Sequence, residues 1–224
     1  MNNACPILPY YEWFRGDVIA AVPVDAKTVL SVGCAAGLTE AELVKRGIKV
    51  VGVEINHDAA RIARERGLTV LEGDALKIDV NIGYEPYDCI IYADILEHLP
   101  DPVSVLQRHI KSLRDSGTVY VSVPNFRNYS VFWELFVKGH VIYRDNGILD
   151  RTHLRITTLR TVLDWFDKAG LVLTNYHYSI MGRRNRLISM CLLGLAREFL
   201  ANQIGLVAKK PYRTQQFLDK RCKH

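Results

Sequence analysis

Paired cysteines are the first thing this chain does without. Its five cysteines (Cys5, Cys34, Cys89, Cys191 and Cys222) are scattered, odd in number and never in CxxC spacing. That argues against a disulfide framework or a zinc knuckle and fits reduced thiols in a cytoplasmic protein. No apolar run reaches the roughly 18 residues that a membrane span needs. The opening MNNACPILPYYEWF has no basic stretch followed by an apolar block, so no secretion signal is expected. Internal repeats and low-complexity segments are missing too. Excess charge is confined to one place: Lys209, Lys210, Arg213, Lys220, Arg221 and Lys223, set against Asp219, account for the whole net charge of +5. The rest of the chain is neutral, which excludes a generally basic nucleic-acid-binding surface, and no nucleic-acid partner is expected. The basic C-terminal tail, 210–224, reads as a solvated terminus, with attraction to an anionic lipid, polysaccharide or RNA as its other use.

What is present is one domain's worth of ordinary globular sequence. The 224 residues are 49% hydrophobic and 24% charged, enough to bury a full core. The stretch from Thr28 to Glu54, TVLSVGCAAGLTEAELVKRGIKVVGVE, carries most information. It reads as a buried strand (29–32), a turn punctuated by Gly33 and Gly37, a helix, and a second strand (49–53) that ends on Glu54. Glycines at such a turn let backbone approach a ligand where a β-carbon would collide. An acid about 20 residues on, at the tip of the next strand, is placed to accept hydrogen bonds from a ribose diol. Thr39 and Glu42 have capping-box spacing, which predicts that the helix starts just after Gly37 and points its amides back at the turn.

The alternation continues. A helix is expected over 58–66, stopped by Gly67, then a strand over 69–72, leading to Gly73, Asp74 and Ala75. A nearly all-apolar strand (88–92), a helix (102–113) and a strand (118–123) closed by Pro124 follow. Before the first strand, Trp13, Phe14, Ile19 and Val22 fall loosely on one helical face. The pattern predicts an open parallel α/β sheet with helices on both faces. Residues 125–157 then break the rhythm, and an insertion of that length beyond the sheet's C-terminal edge usually builds a pocket or lid. Leu159, Val162, Leu163 and Phe166 restart it with the spacing of a core-facing helix. Strands at 171–178 and 204–209 complete the domain, which is expected to span residues 1–209. An apolar helix over 187–200 lies between them, to be docked on the domain or laid at a membrane interface in peripheral association.

The turn G-C-A-A-G departs from the dinucleotide pattern G-x-G-x-x-G, a weak distinction on its own. Taken with Glu54, Asp74 and the string YADILEHLPDP after the fourth strand, the order of motifs resembles that of class I S-adenosylmethionine-dependent methyltransferases over residues 10–209. The resemblance implies a Rossmann-like, doubly wound, seven-stranded sheet, mostly parallel with an antiparallel last strand. It also implies S-adenosyl-L-methionine as cofactor. Gly33, Cys34 and Gly37 would pass its methionine and ribose over bare backbone, Glu54 would hold the ribose hydroxyls, Asp74 and Ala75 the adenine edge, and Asp94 would lie beside the methionine portion. Two positions depart from the family: Ser31 stands where an acid is usual and Ala35 where a glycine is usual, so binding is expected to survive in weakened form. The segments YYEWFRGDVIAAVP, DILEHLPDP and above all DRTHLR (150–155) are further similar to a bacterial subgroup that accompanies glycosyltransferases in surface-polysaccharide clusters. That similarity implies a sugar or glycan-precursor acceptor.

Methyl transfer from a sulfonium is an in-line displacement, and a hydroxyl acceptor needs a base or a metal to take its proton. Asp94, His98 and His153 are the candidate bases. Metal-free catalysis is expected, with Glu97, His98 and His153 as the ligand candidates for a divalent ion. An Asp-x-x-Glu-His cluster with a later histidine resembles the metal site of small-RNA 3′-terminal methyltransferases and of some ubiquinone-pathway O-methyltransferases. Its oxygen and imidazole donors would suit Mg²⁺, Mn²⁺ or Zn²⁺. This leaves metal-assisted O-methylation of a catechol-like or nucleic-acid 3′-terminal diol as an alternative. A non-catalytic, cofactor-binding regulator is another. Arg151 and Arg155 could hold an anionic group of the acceptor or pair with Asp145 or Asp150.

Overall fold

The computed structural model describes residues 14–81, 86–191 and 194–212. Trp13 and the greater part of the basic tail, 213–224, lie outside them. The first helix, α1 (Gly16–Ala21), buries Val18 and Ile19 and leads to β1 (Thr28–Val32). Then come α2 (Glu40–Lys45), β2 (Lys49–Glu54), α3 (His57–Glu65), β3 (Thr69–Glu72), β4 (Tyr87–Ala93) and α4 (Pro102–His109). The strand β5 (Leu113–Pro124) precedes the insertion, which contains α5 (Tyr129–Phe132) and a π-helical turn over Trp133–Val137. The chain closes with α6 (Leu159–Ala169), β6 (Val172–Ser179), α7 (Arg183–Cys191), α8 (Arg197–Leu200) and β7 (Gln203–Lys209).

These strands form one seven-stranded sheet in the order β3-β2-β1-β4-β5-β7-β6. β1 to β5 pair in parallel, and β7 runs antiparallel between β5 and β6. Central strands β1, β4 and β5 are buried almost throughout because helices cover both faces, as their unbroken apolar runs require. On one face Val162, Trp165 and Phe166 of α6 pack with Leu106 of α4; on the other Val18, Leu43 and Ala63 pack against Val29 and Ile91. The helix α6 starts where Thr158 accepts the Thr161 amide and stops at Gly170 in the left-handed region, φ 73°. The C-termini of the parallel strands share one edge, the edge at which open α/β sheets bind ligands, beside the strand-order reversal at β1/β4.

Two local expectations are corrected. Thr39 makes no side-chain cap on α2 and is itself helical, with φ −71° and ψ −45°. Its hydroxyl instead accepts the backbone amide of Arg15 at 2.9 Å, which ties the segment before α1 to the glycine turn. The expected apolar helix over 187–200 is broken in two, with Gly194 at φ 78° and a new start at Arg197. Leu187, Met190 and Leu195 remain exposed rather than docked. No helix among the described residues is long and apolar enough to cross a membrane.

Candidate active site

The glycine turn is held against β2 by two amides, Gly33 N–H and Cys34 N–H, both donating to Val53 O at 2.8 and 3.1 Å. Gly33, Ala35 and Gly37 all have positive φ, at 73°, 49° and 71°. The Ala35 position thus has the conformation that suits glycine, and an alanine there carries steric cost. The missing β-carbons do not face open space: one on Gly33 would meet Ile95 at 3.0 Å, and one on Gly37 would meet Ala63 and Leu68 at 3.1 Å. Both glycines therefore serve close packing inside the protein. Cys34 turns its thiol inward as well, since Gly52 has no room for a β-carbon within 2.4 Å of that sulfur. Burial pushes the Cys34 thiol well up, so its offering to a ligand is backbone, not a thiolate.

Glu54 is buried at the end of β2 and accepts Ala35 N–H at 2.9 Å and Asn56 N–H at 2.8 Å through its two oxygens. Each oxygen retains a lone pair for a ribose hydroxyl. Asp74 caps its own turn by accepting Leu76 N–H at 2.9 Å, with Lys77 Nζ 3.7 Å from its other oxygen. Ala75 is part of the same turn. At the tip of β4, Asp94 adopts φ 54°. Its carboxylate receives Arg15, Ser122 Oγ (3.0 Å) and Gln203 Nε2 (2.9 Å), so it is held by three side chains within the fold.

Two site residues escaped the sequence reading. Arg15 also binds Asp17 through both guanidinium arms, at 2.9 and 2.7 Å. Burial alone would raise the pKa of Asp17, but hydrogen bonds from Arg15 and Tyr120 overcome it and hold the group at about 2. Nothing in the string around Arg15 marks it, because its partners come from β4 and β5. Glu40 is the other: it is buried and accepts the Ser31 hydroxyl at 2.7 Å. The chain thus has a carboxyl beside the position where Ser31 lacks one, nine residues further along. The signal was available: an acid missing from β1 invites a search of the facing helix turn.

The insertion folds back on η-helical residues Leu96–His98 after β4. Glu97 O accepts both Leu154 N–H (2.9 Å) and Arg155 N–H (3.1 Å). Asp150 accepts the Thr152 amide and hydroxyl at 2.8 and 2.6 Å, and Thr152 in turn presents its carbonyl and Oγ1 to His98 Nδ1 at 3.2 and 3.1 Å. His153 Nδ1 faces Ile148 O at 3.1 Å. These partners fix both imidazoles with Nδ1 protonated and leave each Nε2 as a lone-pair donor. Glu97, His98 and His153 each bring a ligand atom within 4.8 Å of the others. The two imidazole rings lie 4.8 Å apart, and His153 Nε2 is 4.0 Å from Glu97 Oε1.

Glu97 is 1% exposed, and its Oε2 has no hydrogen-bond partner. Burial, then the charge of Asp94, drives its pKa well up. Burial and the neighbouring His153 lower that of His98, keeping it neutral at pH 7. A buried carboxyl oxygen without a partner beside two imidazoles is a donor set that fits a divalent cation. Asp94 is not part of this group. Arg151 pairs with Asp145 at 2.8 Å and Arg155 reaches Pro100 O, so acid pairing is the observed use of Arg151.

Comparison with known proteins bears on this arrangement. A family model described as a methyltransferase domain matches residues 15–176. The ubiquinone biosynthesis O-methyltransferase of Histophilus somni is 30% identical over 169 residues, 69% of this chain and 70% of that protein. Its counterpart in Aliivibrio fischeri is 33% identical over 161 residues, 68% of each chain. A crystal structure of a SAM-dependent methyltransferase from Archaeoglobus fulgidus superposes with a TM-score of 0.62 at 18% identity, covering 87% of this chain and 90% of the other, which is likeness of fold. The sheet order with its antiparallel β7, the turn after β1 and the acid closing β2 all agree with that match. The chain belongs to the class I S-adenosylmethionine-dependent methyltransferases, and S-adenosyl-L-methionine is its methyl donor.

Proposed function

We propose that the protein methylates a hydroxyl oxygen of a catechol-like small molecule, at a divalent-cation site made by Glu97, His98 and His153. The observation that carries this reading is the buried Glu97 carboxyl, with Oε2 unpartnered, whose ligand atom lies within 4.8 Å of ring nitrogens of His98 and His153. A carboxyl so placed is costly unless a cation or proton satisfies it. Relatives named as O-methyltransferases support oxygen as the acceptor atom. When bound, the cation would supply Lewis-acid stabilisation of an acceptor alkoxide, and the cofactor supplies an electrophilic methyl group.

The chain's own residues do the rest. Glu54 and the amides of the glycine turn orient the donor, and Glu40 with Ser31 gives the turn the carboxyl that β1 lacks. Thr152 and Asp150 hold His98, and Ile148 holds His153, so neither ring has to reorganise when the acceptor arrives. Holding acceptor and methyl in line can account for about 7–11 kcal/mol of barrier lowering. The insertion is anchored beside that alignment through the Leu154 and Arg155 amides on Glu97 O. The sugar acceptor expected from sequence draws no support from these relatives, whose names carry no polysaccharide link. The test is methyl transfer to catechol and to sugar acceptors, before and after chelation. Catechol turnover should vanish with chelator and return with Mg²⁺ or Mn²⁺, and Glu97→Gln should be inactive yet still bind S-adenosylhomocysteine. Turnover indifferent to both would leave His98 and His153 as metal-free bases and overturn the metal reading.

A further inference from the structure

The helical stretch over residues 129–137 is built inside out. Its buried residue is the acid Glu134, clamped by Lys138 at 3.0 Å and Arg144 at 3.3 Å. Its large apolar residues face solvent: Phe132 is 58% exposed, Trp133 53% and Phe136 70%, and the two phenylalanine rings stack at 4.9 Å. A surface helix of a globular protein places these classes the other way round. Within the same insertion Ile142, Tyr143, Leu154 and Ile156 are exposed as well. Arg127 links the insertion to α8, pairing with Glu198 at 2.7 Å and lying 5.0 Å over the Phe199 ring, and in α7 and the turn before α8 Leu187, Met190 and Leu195 are exposed too. An apolar face of this extent marks an interaction surface.

Charge identifies the occupant. Two of the insertion's three acids, Glu134 and Asp150, are buried, and the third, Asp145, is exposed but paired with Arg151. The cations around the patch, Arg127, Lys138, Arg144 and Arg151, keep roughly half of their side chains in water. The described side chains of residues 181–200 add Arg183, Arg186 and Arg197 against the acid Glu198. Aromatic residues pointing outward within a rim of arginine and lysine are what an interface of acyl chains and anionic headgroups recognises. Since no helix among the described residues is long and apolar enough to span, the contact would be one leaflet deep. We infer that the outer face of residues 127–156, with α7 and α8 alongside, docks this enzyme on an anionic lipid bilayer. The same insertion presents His153 inward to Glu97, so docking sets the catalytic rim close to the membrane surface.

This inference stands apart from the acceptor reading, and its test needs no turnover. The full chain is floated with phosphatidylcholine vesicles with and without phosphatidylglycerol. Binding should require phosphatidylglycerol and fall steeply between about 0.1 and about 0.5 M salt, as screening shortens the reach of the rim. Phe132→Ser/Trp133→Ser/Phe136→Ser should lower the bound fraction by about tenfold or more, with melting temperature unchanged because all three positions are exposed. As a second measurement, brominated lipid should quench tryptophan fluorescence, and Trp133→Phe should abolish the quenching. Absence of flotation at low salt, or no quenching assigned to Trp133, overturns the proposal. So does light scattering that shows a dimer dissolved by the triple variant, which would give the face to a second copy of the chain.

Discussion

Replacing Glu54 by glutamine removes one charge and swaps one acceptor for a donor. Both oxygens are committed in the fold, to Ala35 N–H at 2.9 Å and Asn56 N–H at 2.8 Å. Glutamine can satisfy one of these amides, and an unsatisfied buried donor costs about 1–3 kcal/mol. At about 2–4 °C per kcal/mol for a domain of this size, the melting temperature should fall by several degrees. Binding should suffer separately. Two ribose hydroxyls donating to a carboxylate are worth about 1.5–3 kcal/mol each, and reducing them to one neutral contact forfeits about 2–4 kcal/mol. That is roughly 30- to 1,000-fold in Kd. Calorimetry with S-adenosylhomocysteine and its 2′-deoxy analogue distinguishes a ribose contact from mere bracing of the turn. The unmodified protein should lose affinity for the deoxy ligand, and Glu54→Gln should lose little more. If both proteins pay the same penalty for the missing hydroxyl, within roughly twofold, Glu54 does not touch the ribose and the reasoning is refuted.

Other outcomes follow from neighbouring residues. Ala35→Gly relieves a side chain at φ 49° and should raise stability by about 1 kcal/mol, read as a rise in melting temperature. An aspartate at Ser31 would sit against Glu40, so Ser31→Asp alone should weaken cofactor binding and Ser31→Asp/Glu40→Gln should restore it; calorimetry showing simple additivity would disprove the pairing. His109 is fully buried, and burial, helped by Arg108, lowers its pKa to about 4 from an ordinary 6.5. The folded state therefore binds fewer protons than the unfolded between those values. Stability should fall by about 3 kcal/mol at most as pH drops from 6.5 to 4, and urea titrations of His109→Gln should show a flatter profile.

The sheet and the donor turn were legible because they are local. Strand 29–32, Gly33, Gly37 and Glu54 lie within one βαβ unit, and their apolar periodicity and spacing survive without knowledge of neighbours. What escaped is long-range. Arg15 meets Asp94 and Ser122 across 79 and 107 residues, and Thr39 is drawn from its capping role by an amide 24 residues away. The inward orientation of Cys34 depends on Gly52 of the next strand. The ligand cluster was half visible: Glu97 and His98 are adjacent, but only the loop made by Asp150, Thr152 and Ile148 sets His153 against them. Residues 187–200 misled because apolar composition suggested one continuous helix, docked or laid at a membrane interface, whereas Gly194 breaks it and Leu187, Met190 and Leu195 are exposed.

The cation site is open to one direct measurement. Titrating metal-free protein with Mn²⁺, followed by electron paramagnetic resonance of the free ion, should give one site per chain with no cofactor or acceptor present. Glu97→Gln and His153→Ala should each abolish it, and Thr152→Val, which removes the hydroxyl between Asp150 and His98, should weaken it by about 10–100-fold. No binding, or binding that survives Glu97→Gln and His153→Ala unchanged, would contradict the account.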